Sequence, residues 1–241
     1  MRQKLLQRVG FLGIMMLATG VILSGCIEEP NPPVLDRVTS EVRFVHAVPE
    51  GPPVDIWVDD EIAAANVNYK SASAYLTVKS GDRFLRLVPA GADTVESVFR
   101  RRVSVRSYTK ITMAFHGSME DVTLLSTQER FTYADETSML EDSVDVKLIN
   151  LANTGTRYKL QRLVEEPNNY EDIIPLVQAL SLSPYIRLVA ETNRFAAATE
   201  ANSRVVEFDH EFRTPGYRYT FIVVGNTGAL DVLRLQDEPV N

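Results

Sequence analysis

From Glu41 onward the chain is made of short apolar, β-branched runs cut by Gly, Pro, Asn and Asp, and no stretch before Ala134 keeps a helical period. The candidate strands are Val42–His46, Val54–Val58, Tyr75–Val78, Phe84–Pro89, Arg101–Val105, Ile111–His116 and Val122–Leu125. A strand that alternates in this way has one face to bury, and the stable answer for a series of them is two sheets packed against each other. The expectation is an all-β sandwich.

The order of these runs recurs. Glu41-Val42-Arg43-Phe44-Val45 is matched by Asp145-Val146-Lys147-Leu148-Ile149, and Phe84-Leu85-Arg86-Leu87-Val88 by Tyr185-Ile186-Arg187-Leu188-Val189. The segment from Tyr108 to Gly117 parallels Tyr217 to Asn226, and each leads into an Asp-Val-x-x-Leu strand, at Asp121 and at Asp231. Matches in one order imply a duplication. Two tandem domains are expected, 41–134 and 143–241, joined through the acidic, Pro-free stretch from Ala134 to Asp142. In the later copy, Glu165 to Tyr170 and Asp172 to Val177 read as a long departing loop. Pro167 and Pro175 interrupt it, and Leu176 to Leu182 is left as a short helix or strand.

The first 40 residues read differently. Arg2, Lys4 and Arg8 precede an apolar segment from Phe11 to Leu23, which ends in Leu23-Ser24-Gly25-Cys26. That is the layout of a secretion signal (1–25) closed by a lipobox, in which the Cys26 thiol takes a lipid and becomes the first mature residue. The apolar segment is shorter than the ~20 residues a spanning helix requires. Ile27 to Ser40 then reads as a tether (26–40 with the lipidated cysteine), kept extended by Pro30, Pro32 and Pro33. Glu28 and Glu29 resemble the acidic export signals of some surface-exposed bacterial lipoproteins. The expected location is the cell envelope, anchored to a bacterial membrane, and in a diderm the outer membrane or surface.

Cys26 is the only cysteine, so the remainder holds together without disulfides. The whole chain carries a net charge of −7; removing the leader takes three basic residues and no acidic one, which leaves −10. Such a surface excludes nucleic acid as a partner, since that needs a basic footprint.

Few residues suggest chemistry. His46, His116 and His210 have no spacing that would build a zinc site. Asp59-Asp60-Glu61 and Glu207, Asp209, Glu211 are acidic clusters with hard oxygens for Ca²⁺, but the first also suits a hairpin tip. No metal and no cofactor are expected. Arg100-Arg101-Arg102 reads as a solvated face or a guarded edge. Alternation puts Val54, Ile56 and Val58 on one face and Trp57 on the other, with Asp55 and Asp59. An aromatic flanked by carboxylates can stack on a sugar or cover a neighbouring segment.

The segment Val42-Arg43-Phe44-Val45-His46-Ala47-Val48-Pro49, followed by Gly51-Pro52-Pro53-Val54-Asp55-Ile56-Trp57-Val58-Asp59 and then Tyr75-Leu76-Thr77-Val78 with Gly81, resembles the DUF4397 family. The resemblance covers Glu41 to Tyr133. It is faint in the later copy, where Asn150-Leu151-Ala152-Asn153 replaces His46 to Pro49. It implies immunoglobulin-like sandwiches on exported, often lipid-anchored proteins, and brings no activity with it.

His46, Pro49 and Asp55 are read as turn construction, a buried polar side chain needing backbone partners. A catalytic alternative pairs His46 with Asp55 and draws a nucleophile from Ser71 or Ser73, without any nucleophile elbow in the sequence. Two function classes follow. One is a non-enzymatic envelope module that binds or assembles with a protein or a glycan. The other is a carbohydrate-active or other hydrolytic lipoprotein using Asp55 and Asp59. Four residues apart on one strand, those carboxylates stand about 13 Å apart, wider than the ~5–9.5 Å of glycosidases.

Overall fold

The computed structural model describes residues 38–129, 142–165, 168–212 and 217–237. The first nine strands are β1 (Thr39–His46), β2 (Val54–Val58), β3 (Glu61–Val67), β4 (Ser71–Ala72), β5 (Leu76–Lys79), β6 (Gly81–Pro89), β7 (Phe99–Val105), β8 (Lys110–Gly117) and β9 (Val122–Glu129). The next nine are β10 (Ser143–Asn150), β11 (Tyr158–Glu165), β12 (Asn169–Val177), β13 (Ser181–Leu182), β14 (Ile186–Val189), β15 (Thr192–Ala198), β16 (Arg204–Glu211), β17 (Arg218–Asn226) and β18 (Ala229–Asp237). The all-β sandwich expected from the alternation is what forms.

Each set of nine makes two sheets. In the first copy, β4-β1-β8-β9, with β5 also on β1, faces β3-β2-β6-β7; in the second, β13-β10-β17-β18, with β14 on β10, faces β12-β11-β15-β16. β1 runs parallel to β8 and β10 parallel to β17, while the other pairings are antiparallel. The last hairpins even share a glycine. Gly117 and Gly225 sit at φ 99° and 113°, where a Cβ would collide with the carbonyl oxygens of Asp121 and Ala229.

Registers correct several sequence readings. The counterpart of Tyr185 to Val189 is Tyr75 to Lys79, because β5 and β14 occupy the same place on β1 and β10. Phe84 to Val88 lies in β6, which corresponds to β15. In the final hairpins Gly117 pairs Val122 and Gly225 pairs Leu230, so the two Asp-Val-x-x-Leu segments are offset by two residues. A slip of two keeps every side chain on its own face, which is why alternation cannot detect it. The long loop expected between Glu165 and Leu182 contains β12, the counterpart of β3 in the second copy, hydrogen-bonded to β11. Pro175 fits there because β12 is an edge strand with a register shift between Tyr158 and Leu160.

The cores explain the apolar runs. Val42, Phe44, Ile56, Leu85, Leu87, Ile111, Met113 and Phe115 fill the first sandwich, and Val144, Val146, Leu148, Leu160, Phe195, Phe221 and Val223 the second. The alternate residues of the central strands are also buried. Val45, Ala47, Ala114, Ile149, Leu151, Ile222, Val224 and Leu235 form a third cluster between the copies. β1, β8, β10 and β17 are therefore buried on both faces over most of their length.

A polar pair of sites borders this shared layer, related by the duplication. Arg43 on β1 donates to Asp237 at the end of β18, and Asp237 also accepts from Tyr75 (2.9 Å) and Thr220 (2.9 Å). Lys147, the counterpart of Arg43, donates to Glu129 at the end of β9, which also accepts from Tyr185 (2.6 Å). Each copy thus supplies the cation and tyrosine for the other's terminal carboxylate.

Candidate functional site

His46 ends β1 fully buried. Its Nδ1 accepts from the Val48 amide at 3.3 Å and its Nε2 donates to the Pro52 carbonyl at 3.0 Å. That pattern requires a neutral ring with the proton on Nε2. Burial pushes its pKa down, against a smaller upward pull from the Pro52 bond. Gly51 makes room, since a Cβ there would stand 3.0 Å from His46 Cε1 and from the Met119 sulfur. Pro49 is half-buried in the same turn, beside Glu50 at φ 59°.

Asn150 takes the same position in the second copy. Its Oδ1 accepts from the Ala152 amide (3.2 Å), and its Nδ2 donates to the carbonyls of Thr156 (2.9 Å) and Val177 (3.1 Å). Imidazole and carboxamide are the two side chains here that offer one acceptor and one donor at opposite ends, so they tie the same loop.

Asp55 serves other loops. Its Oδ1 accepts from the Asn66 amide at 2.7 Å, where Asn66 sits at φ 53°, and its Oδ2 from the Gly91 amide at 3.3 Å. The Ser71 hydroxyl donates to the Asn68 carbonyl; the Ser73 hydroxyl accepts from the Phe44 amide and donates to the Ala74 carbonyl. Ser183 repeats the Ser73 arrangement on Leu148 and Pro184. Among the described residues, His46, Asp55, Ser71 and Ser73 each bond separate backbone groups, and no hydrogen bond joins them as a reacting group. Leu23, Ser24, Gly25 and Cys26 lie outside the described residues.

A groove of about 610 Å³ opens between the β2–β3 hairpin and β5, bordered by Asp59, Asp60, Ile62, Leu76, Lys79 and Arg83. Asp59, at φ 57°, accepts from the Phe84 amide (2.9 Å) and from Arg83 (3.1 Å). Desolvation pulls its pKa up, but these donors outweigh it and leave the carboxyl below its ordinary value. Asp55 is not part of this groove, so the two carboxylates of the hydrolytic reading do not line a common cavity. Among the described residues no three His, Cys, Asp or Glu side chains gather as a metal site. Glu207 pairs with Arg204, and Asp209 with Arg194. His210 packs on the rings of Phe212, Tyr219 and Phe221, and burial, with Arg234 nearby, pushes its pKa down to about 4.

The side chains least committed to the fold lie on the outer face of β3-β2-β6-β7. One row crosses all four strands in register: Ile62, Trp57, Arg86 and Arg100. Phe84 and Arg102 form the next row. The Arg86 guanidinium lies 5.7 Å from the Trp57 ring centre and 5.8 Å from that of Phe84, held by Asp60 and by the Asp59 carbonyl. Arg100 bonds only the Ser97 hydroxyl, and Arg102 makes no hydrogen bond or ion pair among the described residues. Trp57 was legible as outward-facing from alternation alone. The outward placing of Phe84 and Arg86 follows from the same alternation, but nothing in the sequence pairs them with the arginine run, because that pairing is set by the β6–β7 register.

Residues 40–156 match the family model for a domain of unknown function, DUF4397. Residues 40–156 form a DUF4397 domain. The match takes in every strand of the first copy and continues through β10 to Thr156, so it includes the Asn150 loop as well as the His46 loop. The sequence matches no curated protein. Among solved structures, this chain is similar to the CBMbc module (family CBM26) of Eubacterium rectale Amy13K, solved with maltoheptaose. Identity is 11%, with 83% of this chain and 98% of that chain covered, at a TM-score of 0.27. A candidate cell adhesion protein from Bacteroides ovatus is 9% identical, with 84% and 98% covered, at a TM-score of 0.24. Superpositions this loose carry no ligand or partner across.

Proposed function

We propose that this DUF4397 protein is a non-enzymatic binding or assembly module of the bacterial cell envelope, held to a membrane by lipid on Cys26. In a diderm this is the outer membrane or the cell surface. The observation that carries the non-enzymatic half is the commitment of Asp55 and Asp59. Each carboxylate spends its oxygens on backbone amides or Arg83, and the two stand in separate surroundings. A general acid or base needs a free oxygen aimed at a substrate. The anchoring half rests on the lipobox Leu23 to Cys26 at the end of a cationic and then apolar leader. The partner is an envelope protein or a glycan met by the folded part.

Metabolic labelling with a fatty acid tests the anchor: label is expected on the wild-type chain and absent from Cys26→Ser. Label on Cys26→Ser at the wild-type level removes the anchor. A pulldown from detergent-solubilised envelopes, with the mature chain as bait, tests the binding half by recovering a saturable partner. Turnover of a glycoside or ester that survives in Asp55→Asn/Asp59→Asn would leave the carboxylates out of it, and turnover lost in that variant would restore the hydrolytic class.

A further inference from the structure

We infer that the outer face of β3-β2-β6-β7 is a binding site for a linear anionic polysaccharide, lying across the Trp57–Arg86–Arg100 row with Arg102 and Phe84 beside it. This names the ligand class of the module proposed above and rests on that reading.

The charge on this face is out of keeping with the rest of the molecule. The chain is acidic overall, yet Arg100 and Arg102 are exposed and meet no carboxylate among the described residues. Guarding the sheet edge accounts for only one of the three arginines. Arg101 opposes the core residue Leu85 and projects at the edge, whereas Arg100 and Arg102 project from the outer face and block no strand. Alternate residues of one strand are about 7 Å apart and register partners on neighbouring strands about 5 Å apart. Arg100 and Arg102 therefore form a compact cationic surface beside the Asp60-paired Arg86, and guanidinium forks suit carboxylate or similar oxyanions.

The duplication supplies an internal control. The positions that hold Ile62, Trp57, Arg86 and Arg100 in the first copy hold Asp172, Gln161, Ala196 and Glu207 in the second. Phe84 and Arg102 become Arg194 and Asp209, which pair with each other at 3.0 Å. On the same scaffold one face neutralises its own charge, and the other leaves two cations beside two aromatic rings. The fold does not require the second arrangement.

The shape of the face selects among anions. Asp60 is 98% exposed at the hairpin tip next to this face, followed by the exposed Glu61. A flat anionic lipid surface pressed onto the arginines would meet both carboxylates, whereas a narrow chain along the row meets only Asp60, whose charge Arg86 already balances at 2.9 Å. A peptide would take its backbone hydrogen bonds from a sheet edge, and the face offers none. A polysaccharide carries polar groups on its rim and apolar C–H faces, which suit the exposed Phe84 and the half-buried Trp57.

The test uses the full chain in neutral detergent with polygalacturonate as probe, neutral dextran as control, and phosphatidylglycerol vesicles as the competing surface. Saturable binding to polygalacturonate is expected, weakening as salt rises. Arg100→Glu/Arg102→Glu should lose it at least tenfold with an unchanged melting temperature, since both side chains are exposed. Phe84→Ala should weaken it severalfold, and Glu207→Ala/Asp209→Ala in the second copy should leave it intact. Equal affinity of the arginine variant, or no saturable binding by the wild type, overturns the inference. So does arginine-dependent binding that appears on the vesicles and not on polygalacturonate, or that goes to an acidic protein recovered from the envelope. In those cases fatty-acid labelling and the envelope pulldown still report on the anchored binding module by itself.

Discussion

Among the described residues the two copies have nine strands each in one order, and they differ in how they spend polar side chains. The first keeps His46 where the second has Asn150, and unpaired arginines where the second has Glu207 and Asp209. One substitution preserves a hydrogen-bonding pattern, and the other inverts a charge. What both copies keep therefore marks the fold, and what one copy alone carries is open to function.

The largest effect is expected where the copies meet. Asp237 is 2% exposed and accepts from Arg43, Tyr75 and Thr220, so Asp237→Ala leaves a buried guanidinium without its anion. Breaking a buried pair from one side costs about 3–5 kcal/mol. Glu129 does the same work for Lys147 but is 13% exposed, so Glu129→Ala should cost less. Urea denaturation of the two variants ranks them, and equal midpoints would mean that the polar border contributes equally from both sides. Cleavage at a protease site placed between Ala134 and Asp142 should leave the halves associated in the wild type, through the shared apolar layer, and separable in Asp237→Ala. Size-exclusion chromatography reads this directly.

Next in size is the loop cradle. His46→Ala strips two backbone groups of their partner and should cost roughly 1–3 kcal/mol. His46→Asn installs what the second copy already uses and should recover most of that loss. If Asn is no better than Ala in thermal melts, the equivalence of the two cradles is wrong.

Sequence reading goes furthest where periodicity is strong and local. The strands around Phe44, Ile56, Leu87 and Phe115 announce themselves because each alternates against its own core. Edge strands do not: β3 reads Glu-Ile-Ala-Ala-Ala-Asn-Val, exposed over most of its length, and β12 contains Pro175. The shared layer between the copies was invisible, because Val45, Ala114, Ile149 and Ile222 look like the back of an ordinary strand until a second sheet covers them. His46 and Asp55 could be read as loop-tying residues from type and position. Their separate partners, the Asn66 amide against the Pro52 carbonyl, are fixed by turns that no pattern in the sequence specifies.

Acid should act unequally on the histidines. Burial lowers the pKa of His46 and His116, and takes that of His210 to about 4. Unfolded, each takes up a proton near pH 6.5. The unfolded state therefore binds more protons below that point. The stability these residues contribute is complete above about pH 6.5 and is lost as pH falls toward the folded values. The melting temperature should decline from pH 6.5 to 4, and His210→Leu should flatten part of that decline. Among the described residues the Nε2 of His210 has no hydrogen-bond partner, so its removal should change stability near pH 7 by under about 1 kcal/mol. An acid limb as steep in His210→Leu as in the wild type would place the sensitivity on the carboxylates instead.

The smallest effect separates the two outer faces. Arg194 and Asp209 form an exposed pair, 44% and 66% accessible, and such pairs contribute about 0–1 kcal/mol. Arg194→Ala should thus lower stability slightly, and only at low salt, because exposed charges are screened as ionic strength rises. Arg102 occupies the equivalent region of the first copy and meets no anion among the described residues, so Arg102→Ala has no such contribution to lose and should melt with the wild type at every salt concentration. A salt-dependent loss in Arg102→Ala would show that the first face also neutralises itself, with a carboxylate as partner. The arginines would then belong to the fold, as their counterparts in the second copy do.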